Sequence, residues 1–424
     1  MTPLAVGIDI GTSGSRAVAM RADFSIIAST AAPLERFGMN SRDPAVWWAA
    51  VEATLDELLS QIDRDAVRAI AVDGTSGTVL PVDGAGRPLA EPLMYNDRVA
   101  EEPILAAIAD MAPDASAAHG ATSGLAKALW FQRLPGIHAV LHQADWIAGQ
   151  LSGRFDVSDE NNSLKTGYDA EARRWPEWIA ATGMRMEILP SVVRPGNVIG
   201  GLTAAAADQF GLGRNVAVIA GTTDGCASFL ATGAATTGEG VTALGSSLTI
   251  KILSDGPIFA PRYGIYSHRL GDMWLAGGAS NTGGKVLARH FSLARIIELS
   301  AAIDPATETG LGYYPLGSPG ERFPIADPAL QPRLMPRPDS DADYLKAMLE
   351  GIAAIEALGY RRLAELGAPR LTSVRSVGGG AANPAWTAIR QRKLGVAFVA
   401  ALSDQAAAGT ARLALMGAKE AGLL

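Results

Sequence analysis

The strongest constraint on this chain is a strand–turn–strand unit that occurs twice. Near the N-terminus it reads Val6-Gly7-Ile8-Asp9-Ile10-Gly11-Thr12-Ser13-Gly14-Ser15-Arg16, continuing through Ala17-Val18-Ala19-Met20. Apolar residues on both sides of Asp9 put its carboxylate at the end of a buried strand. Gly11 and Gly14 free the turn from Cβ constraints. Consecutive N–H groups in such a bend form an anion nest, and Thr12, Ser13 and Ser15 add hydroxyls. An acid beside an anion nest makes electrostatic sense when a cation bridges them. Magnesium between a carboxylate and a nucleotide's phosphates fits that description. Taken alone, the stretch reads almost equally well as a surface hairpin rich in Gly and Ser. Its spacing is not G-x-G-x-x-G, and no G-x-x-x-x-G-K-[ST] occurs in the chain.

The second copy is Gly240-Val241-Thr242-Ala243-Leu244-Gly245-Ser246-Ser247-Leu248-Thr249-Ile250-Lys251-Ile252. Gly245 aligns with Gly11, Ser246-Ser247 with Thr12-Ser13, and Ala243 with Asp9. The chain therefore reads as two related halves, and only the first carries the acid. One site between two lobes needs that asymmetry: both hairpins hold phosphates, and one supplies the metal-directed charge.

A length of 424 residues allows two or three domains, and 48% hydrophobic residues suffice for substantial cores. A net charge of −7 argues against a general nucleic-acid or anionic-membrane binder. One cysteine, Cys226, excludes an intrachain disulfide. No run approaches the ~20 apolar residues of a membrane helix. The N-terminus lacks the basic and apolar regions of a signal peptide. The expectation is a soluble cytoplasmic protein.

Helical periodicity predicts a helix over Pro44 to Ile62, with Asp43 as N-cap before a first-turn proline. A strand, Val67 to Val72, then runs into a small polar loop, Asp73-Gly74-Thr75-Ser76-Gly77-Thr78. Such loops at strand C-termini are where α/β proteins bind ligands, although a simple connector has the same composition. Tyr95-Asn96-Asp97-Arg98 reads as a hydroxyl-binding segment or as a helix cap with a surface ion pair. Lys127 and Trp130 are candidates to face a cleft. His138 and His142 are four apart but lack the H-E-x-x-H partner, so both read as ordinary histidines. Asp159-Glu160-Asn161-Asn162 reads as a polar loop. The strand Val216 to Ala220 runs into Gly221-Thr222-Thr223-Asp224-Gly225. Asp224 is either a helix cap or a second carboxylate aimed into the same cleft as Asp9. In the second case one acid serves the metal and the other a proton.

In the second half, Met273 to Ala276 is a strand ending in a loop, Gly277 to Asn281. Residues 304 to 341 are proline-rich and read as a long surface excursion with little regular structure. Asp341 to Leu366 is a core-packing helix. Leu371 to Val377 leads into Gly378-Gly379-Gly380, where a ligand can meet bare backbone. Asn383 then caps a helix opened by Pro384, and Trp386 packs on a flat ring or on the core. The alanine-rich last helix, Gln405 to Ala418, is expected to pack back on the first lobe.

Four stretches in this order are similar to the FGGY carbohydrate kinases: Asp9-Ile10-Gly11-Thr12, Gly221 to Gly225, Tyr314-Pro315 to Glu321-Arg322, and Gly378 to Trp386. The resemblance spans essentially the whole chain. It implies an α/β, actin-like ATPase (ribonuclease H-like) fold with two duplicated lobes and a central cleft. The lobes would be 1–229, the sugar and magnesium side, and 230–402, the nucleotide side, with 403–424 returning to the first. It implies ATP and Mg2+ as cofactors and a small sugar as substrate, with monomer and homodimer both open. By carry-over, Asp9 and Asp224 serve the metal and the sugar. Thr12 contacts the transferred phosphoryl group, and Asp224 takes the proton from the attacking hydroxyl. Thr75, Ser76, Asn96 and Asp97 line the sugar. Gly11, Thr12, Ser13, Gly245, Ser246, Gly278, Gly379, Gly380, Asn383 and Trp386 form the nucleotide wall.

The Gln-Met-His-Gly loop of bacterial xylulose kinases is absent, and Asp73-Gly74-Thr75-Ser76 stands in its place. That loop, the Tyr95-Asn96-Asp97-Arg98 segment and the compact length resemble a small branch acting on D-ribulose. The expected reaction is D-ribulose to D-ribulose 5-phosphate, with D-xylulose or a pentitol as the alternative. An actin- or chaperone-like ATPase without a sugar substrate is the remote one.

Overall fold

A computed structural model describes residues 2–424, in which two compact units are distinguished. The first comprises residues up to Ala231, His268–Gly271 and Gln405–Leu424; the second comprises Thr232–Ser267 and Asp272–Asp404.

The first unit is built on a mixed sheet. Strands β1 (Leu4–Ile10), β2 (Gly14–Arg21) and β3 (Ile26–Pro33) form an antiparallel meander. Helix α1 (Pro44–Leu59) crosses to β4 (Val67–Gly74), which lies parallel to β1. Asp43 caps α1 by accepting from Ala45 N, with Pro44 in the first turn. Strand β5 (Val198–Gly201) forms the far edge, and β6 (Ala217–Thr223) pairs parallel with β4. The order is β3-β2-β1-β4-β6-β5. Because β1, β4 and β6 are covered on both faces, they are nearly continuous apolar runs.

One face buries Trp47, Val51, Leu55 and Leu58 of α1 against Ile8, Ile10, Ile70 and Val72. The C-terminal helix, Ala406–Glu420, covers the other face through Ala407, Ala408, Ala411 and Ala414. Its alanines follow from how closely the backbones approach. A Cβ on Gly7 would stand 2.1 Å from Ala411 N, inside any allowed contact.

The second unit repeats the plan. Strands β7 (Glu239–Leu244), β8 (Leu248–Ser254) and β9 (Met273–Ala279) form the antiparallel meander. Helix α2 (Asp341–Glu365) leads to β10 (Ser373–Val377), parallel to β7. Helix α3 (Pro384–Leu394) leads to β11 (Ala397–Phe398), parallel to β10. The registers match as well. Asp9 faces Arg16 across one hairpin and Ala243 faces Thr249 across the other, each one residue before its strand ends.

Three local expectations change. Residues 159–162 do not form an open loop. Asp159 caps a short helix, Glu160–Ser163, and all four side chains are buried. The proline-rich stretch lacks helices and strands but is not a surface excursion, because Tyr313, Leu316 and Phe323 enter the core of the second unit. Gly277 and Gly278 lie within β9 rather than beyond it.

Candidate active site

The first unit gathers its acids at the C-terminal ends of the parallel strands. Asp73 is the neighbour of Asp9 in the β1–β4 register, and Thr222 is the neighbour of Asp73 in the β4–β6 register. Asp73 is therefore not in an open loop: it lies on the strand and is fully buried. Thr410 of the C-terminal helix donates to its Oδ2, and its Oδ1 has no partner. Burial pushes the Asp73 carboxyl well above its usual range, with the charges of Asp9 and then Asp224 adding to the push. Burial also raises Asp9, opposed by its close neighbour Asp73 and then by Arg16. Both carboxyls are pushed up, Asp73 well above its usual range. The Arg16 guanidinium lies 3.1 Å from Asp9 and is itself substantially exposed.

Asp224 follows β6 directly and opens the helix Asp224–Ala231, where its Oδ1 accepts from Gly225 N at 2.7 Å. It is close enough to raise the carboxyls of both Asp9 and Asp73. The two acids singled out in the sequence, 215 residues apart (224 − 9), thus share one electrostatic neighbourhood within the first unit.

The polar loop after β4 is held by residues whose roles the sequence did not reveal. Gln143 Oε1 accepts from Thr75 N at 3.1 Å and from Thr75 Oγ1 at 2.7 Å. Thr75 and Thr78 hydroxyls meet at 2.6 Å. Lys127 does not face an open cleft. It is fully buried, and Nζ donates to Gly77 O and Met94 O, both at 2.7 Å. Burial lowers Lys127 to about 8. Trp130 is exposed and stacks under Arg133. His142 is buried and pushed down to about 3, first by burial and then by Lys127 and Lys165, so it is a neutral core residue. These anchors leave Ser76 Oγ without a partner.

Two candidate sugar ligands stand differently. Asp97 gives its carboxylate to both guanidinium nitrogens of Arg42, at 2.7 and 3.0 Å, and to Met94 N at 2.8 Å. It braces the segment and has little capacity left for a substrate hydroxyl. Asn96 beside it is exposed.

At the β1–β2 turn, Gly11 N donates to Gly14 O at 3.0 Å, and Thr12 and Ser13 are exposed at the tip. Gly14 is required there, because a Cβ would stand 2.7 Å from Ala32 O.

The second unit holds a cavity of about 960 Å³. Gly245 and Ser246 of the hairpin turn form one wall, and Gly379, Gly380, Asn383 and Trp386 another. Leu287, Phe291 and Ile296 supply an apolar side suited to a flat heterocycle. Gly378 turns the chain at φ +82°, where a Cβ would meet Leu244 O at 2.9 Å. Asn383 caps α3 by accepting from Trp386 N at 3.0 Å, and its amide donates to Ser300 Oγ at 2.8 Å. Trp386 is core, with its ring stacked under Gly380. Six of the sequence-derived nucleotide candidates of this half thus line one cavity. Gly278 does not: it sits in β9 with Phe323 packed where its Cβ would be, 2.6 Å away. Lys285, which no sequence motif marks, joins the lining.

The model of the FGGY family of carbohydrate kinases, N-terminal domain, matches residues 4–231, and that of the C-terminal domain matches residues 234–418. This chain belongs to the FGGY family of carbohydrate kinases. Among curated relatives, a xylulose kinase of Escherichia coli (strain K12) is 25% identical over 406 residues, covering 90% of this chain and 83% of the relative. Among solved structures, a xyloylose kinase from Brucella ovis aligns with a TM-score of 0.85 at 24% identity, covering 98% of this chain and 91% of the other. A ligand-bound xylulose kinase from Lactobacillus acidophilus aligns at 0.83 and 18% identity, covering 99% and 90%. The fold is the actin-like ATPase fold with a duplicated α/β core.

An FGGY kinase is an enzyme that phosphorylates a sugar using ATP with Mg2+. The donors present suit that ion, since Mg2+ takes one or two carboxylates and completes its octahedron with water and phosphate oxygens. Among the described residues no group of three or more His, Cys, Asp and Glu forms a protein cage for a metal. Asp9, a hard oxygen donor at a strand end beside the exposed Thr12 turn, matches this sparse protein contribution. Among the described residues no helix is long and apolar enough to cross a membrane.

Proposed function

We propose that this FGGY kinase transfers the γ-phosphoryl group of ATP to the terminal hydroxyl of a ketopentose, D-ribulose before D-xylulose. The observation that supports this most is the shared neighbourhood of Asp9, Asp73 and Asp224 beside the Ser76 loop. Asp224 accepts the proton of the attacking hydroxyl, and a general base must reach that proton within hydrogen-bond distance. Asp9 holds magnesium, which neutralises charge on the phosphates. Thr12 and Ser13 present the hairpin's N–H groups to the transferred phosphoryl group. Positioning and charge neutralisation account for most of phosphoryl-transfer catalysis, so no covalent intermediate is required. The cavity around Gly245, Gly379 and Gly380 receives the nucleotide. Ser76, its hydroxyl unclaimed by the protein, binds the sugar.

D-Ribulose is preferred because Asp73-Gly74-Thr75-Ser76 replaces the Gln-Met-His-Gly loop of bacterial xylulose kinases. D-Xylulose is the second reading, favoured by the names of the relatives at 22–25% identity. Steady-state kcat/KM for D-ribulose, D-xylulose, L-ribulose and ribitol decides between them. A higher value for D-xylulose would reverse the order. ATP turnover indifferent to all four sugars would remove the kinase reading.

A further inference from the structure

The first unit carries a partly buried cation that its fold does not use. Lys165 lies in the short turn Leu164–Thr166, directly after the buried helix Glu160–Ser163. It is partly buried, and no hydrogen bond or ion pair within the described residues reaches its ammonium. A partly desolvated charge without a partner is costly and is seldom kept without a use. Its neighbours are informative. A Cβ on Gly77 would lie 3.5 Å from Lys165 Cδ and 4.0 Å from Nζ, so the ammonium sits against the loop that carries Ser76. Burial lowers its pKa and the Asp224 carboxylate opposes that shift, so the ammonium lies within electrostatic range of Asp224.

The Ser76 loop thus has a donor, Lys165, against it and an acceptor, Asp224, within electrostatic range of that donor. Ser76 Oγ lies on the same loop without a partner. The other cation nearby, Lys127, is committed to Gly77 O and Met94 O. An ammonium offers only donors, so its natural complement is an oxygen that only accepts. In a ketopentose that oxygen is the carbonyl; a pentitol has none.

We propose that Lys165 is a specificity-determining residue that donates to the ketose carbonyl oxygen and so separates pentuloses from pentitols. This rests on the pentulose-kinase reading above. The lysine orients the sugar while Asp224 receives the proton from the reacting hydroxyl.

The test compares wild type with Lys165→Met and Lys165→Arg, using D-ribulose, D-xylulose and ribitol as substrates and thermal unfolding as a second readout. Losing one charged hydrogen bond to substrate predicts a pentulose KM raised roughly 10- to 100-fold. The KM for ATP should stay within about twofold, and the preference for pentulose over ribitol should shrink by a similar factor. Lys165→Met should melt no lower than wild type, because it removes an unpaired, partly buried charge. A structural lysine predicts the reverse: lower Tm with KM unchanged. Lys165→Arg, which keeps the charge on a different fork, should recover part of the pentulose affinity, and it carries the test if the methionine variant does not fold. Pentulose KM within twofold of wild type in both variants, or an ATP KM that rises in parallel, overturns the assignment while leaving the kinase reading intact. Wild-type enzyme inactive on every pentulose overturns that reading, and the role of Lys165 with it.

Discussion

At the scale of single residues, two carboxylates on different elements divide the proposed chemistry. Asp224 stands at a helix start with one oxygen on Gly225 N, a bond that an asparagine oxygen can also accept. Asp224→Asn should therefore fold normally and lose roughly 10²- to 10⁴-fold in kcat, the usual span for a general base. The KM for ATP should be nearly unchanged; near-wild-type turnover would exclude Asp224 as the base. A different residue-scale test concerns stability alone. Arg390 and Glu356 form a fully buried ion pair at 2.6 Å, extended by Ser376 to the arginine and by Thr242 to the carboxylate. Arg390→Met leaves that carboxylate uncompensated and should cost about 3–5 kcal/mol. Urea unfolding measures this, and a loss below about 1 kcal/mol would mean that Glu356 finds another partner or a proton. Asp9 and Asp224 were legible in the sequence because glycines and strand ends flank them. Gln143 and Lys165 were not, and Lys127 was marked only as a residue facing a cleft, whereas it is a buried anchor. Each lies against a loop distant in sequence, a contact that local pattern does not encode.

At the scale of elements, periodicity located the strands and helices well wherever one face is buried. It failed where tertiary packing overrides local composition. Asp159 to Asn162 is as polar as any loop, yet it is buried because Asp159 accepts from Asn161 N and Asn162 N, while Asn161 bonds Thr222 and Arg269. Residues 304–340 look like linker, but their aromatic residues fill the second core. The duplicated hairpin was the most informative feature because one pattern had to satisfy the same backbone geometry twice. The C-terminal helix carries its own prediction. It reaches the sheet only because Gly7 lacks a side chain, and its Thr410 bonds Asp73 beside Asp9. In Gly7→Ala the new methyl meets backbone at 2.1 and 2.2 Å, on Ala411 N and Ala407 O. Backbone cannot rotate away as a side chain can, so the helix must shift. We expect a loss at or above the ~1–3 kcal/mol usual for overpacking. We also expect a lower kcat from displacement of the Thr410–Asp73 contact. Unchanged Tm and kcat together would show that the sheet and helix accommodate the methyl without moving.

At the scale of the whole molecule, the buried acids of the first unit make its stability depend on pH in a direction opposite to the common surface case. Asp145 is fully buried and raised well above its usual range, by burial first and the charge of Asp159 second. Asp159 is raised to about 6, again chiefly by burial, against hydrogen bonds from Asn162 and Asn161. A carboxyl whose native pKa exceeds its unfolded value binds protons more tightly when folded. Between the ordinary value of 3.8 and about 6, the native state then holds more protons than the unfolded chain, and stability falls as pH rises. Asp9 and Asp73 act in the same direction, so the wild-type curve alone does not isolate the pair. Asp145→Asn does. Its side-chain oxygen can still accept from His142 N, as Asp145 does at 3.0 Å, while the amide removes the carboxyl that burial and the charge of Asp159 push up. Urea unfolding of both proteins from pH 4.5 to 8 should show wild type losing stability more steeply than the variant. The gap should widen toward neutral pH. Parallel curves would mean that water or a bound cation already neutralises the pair.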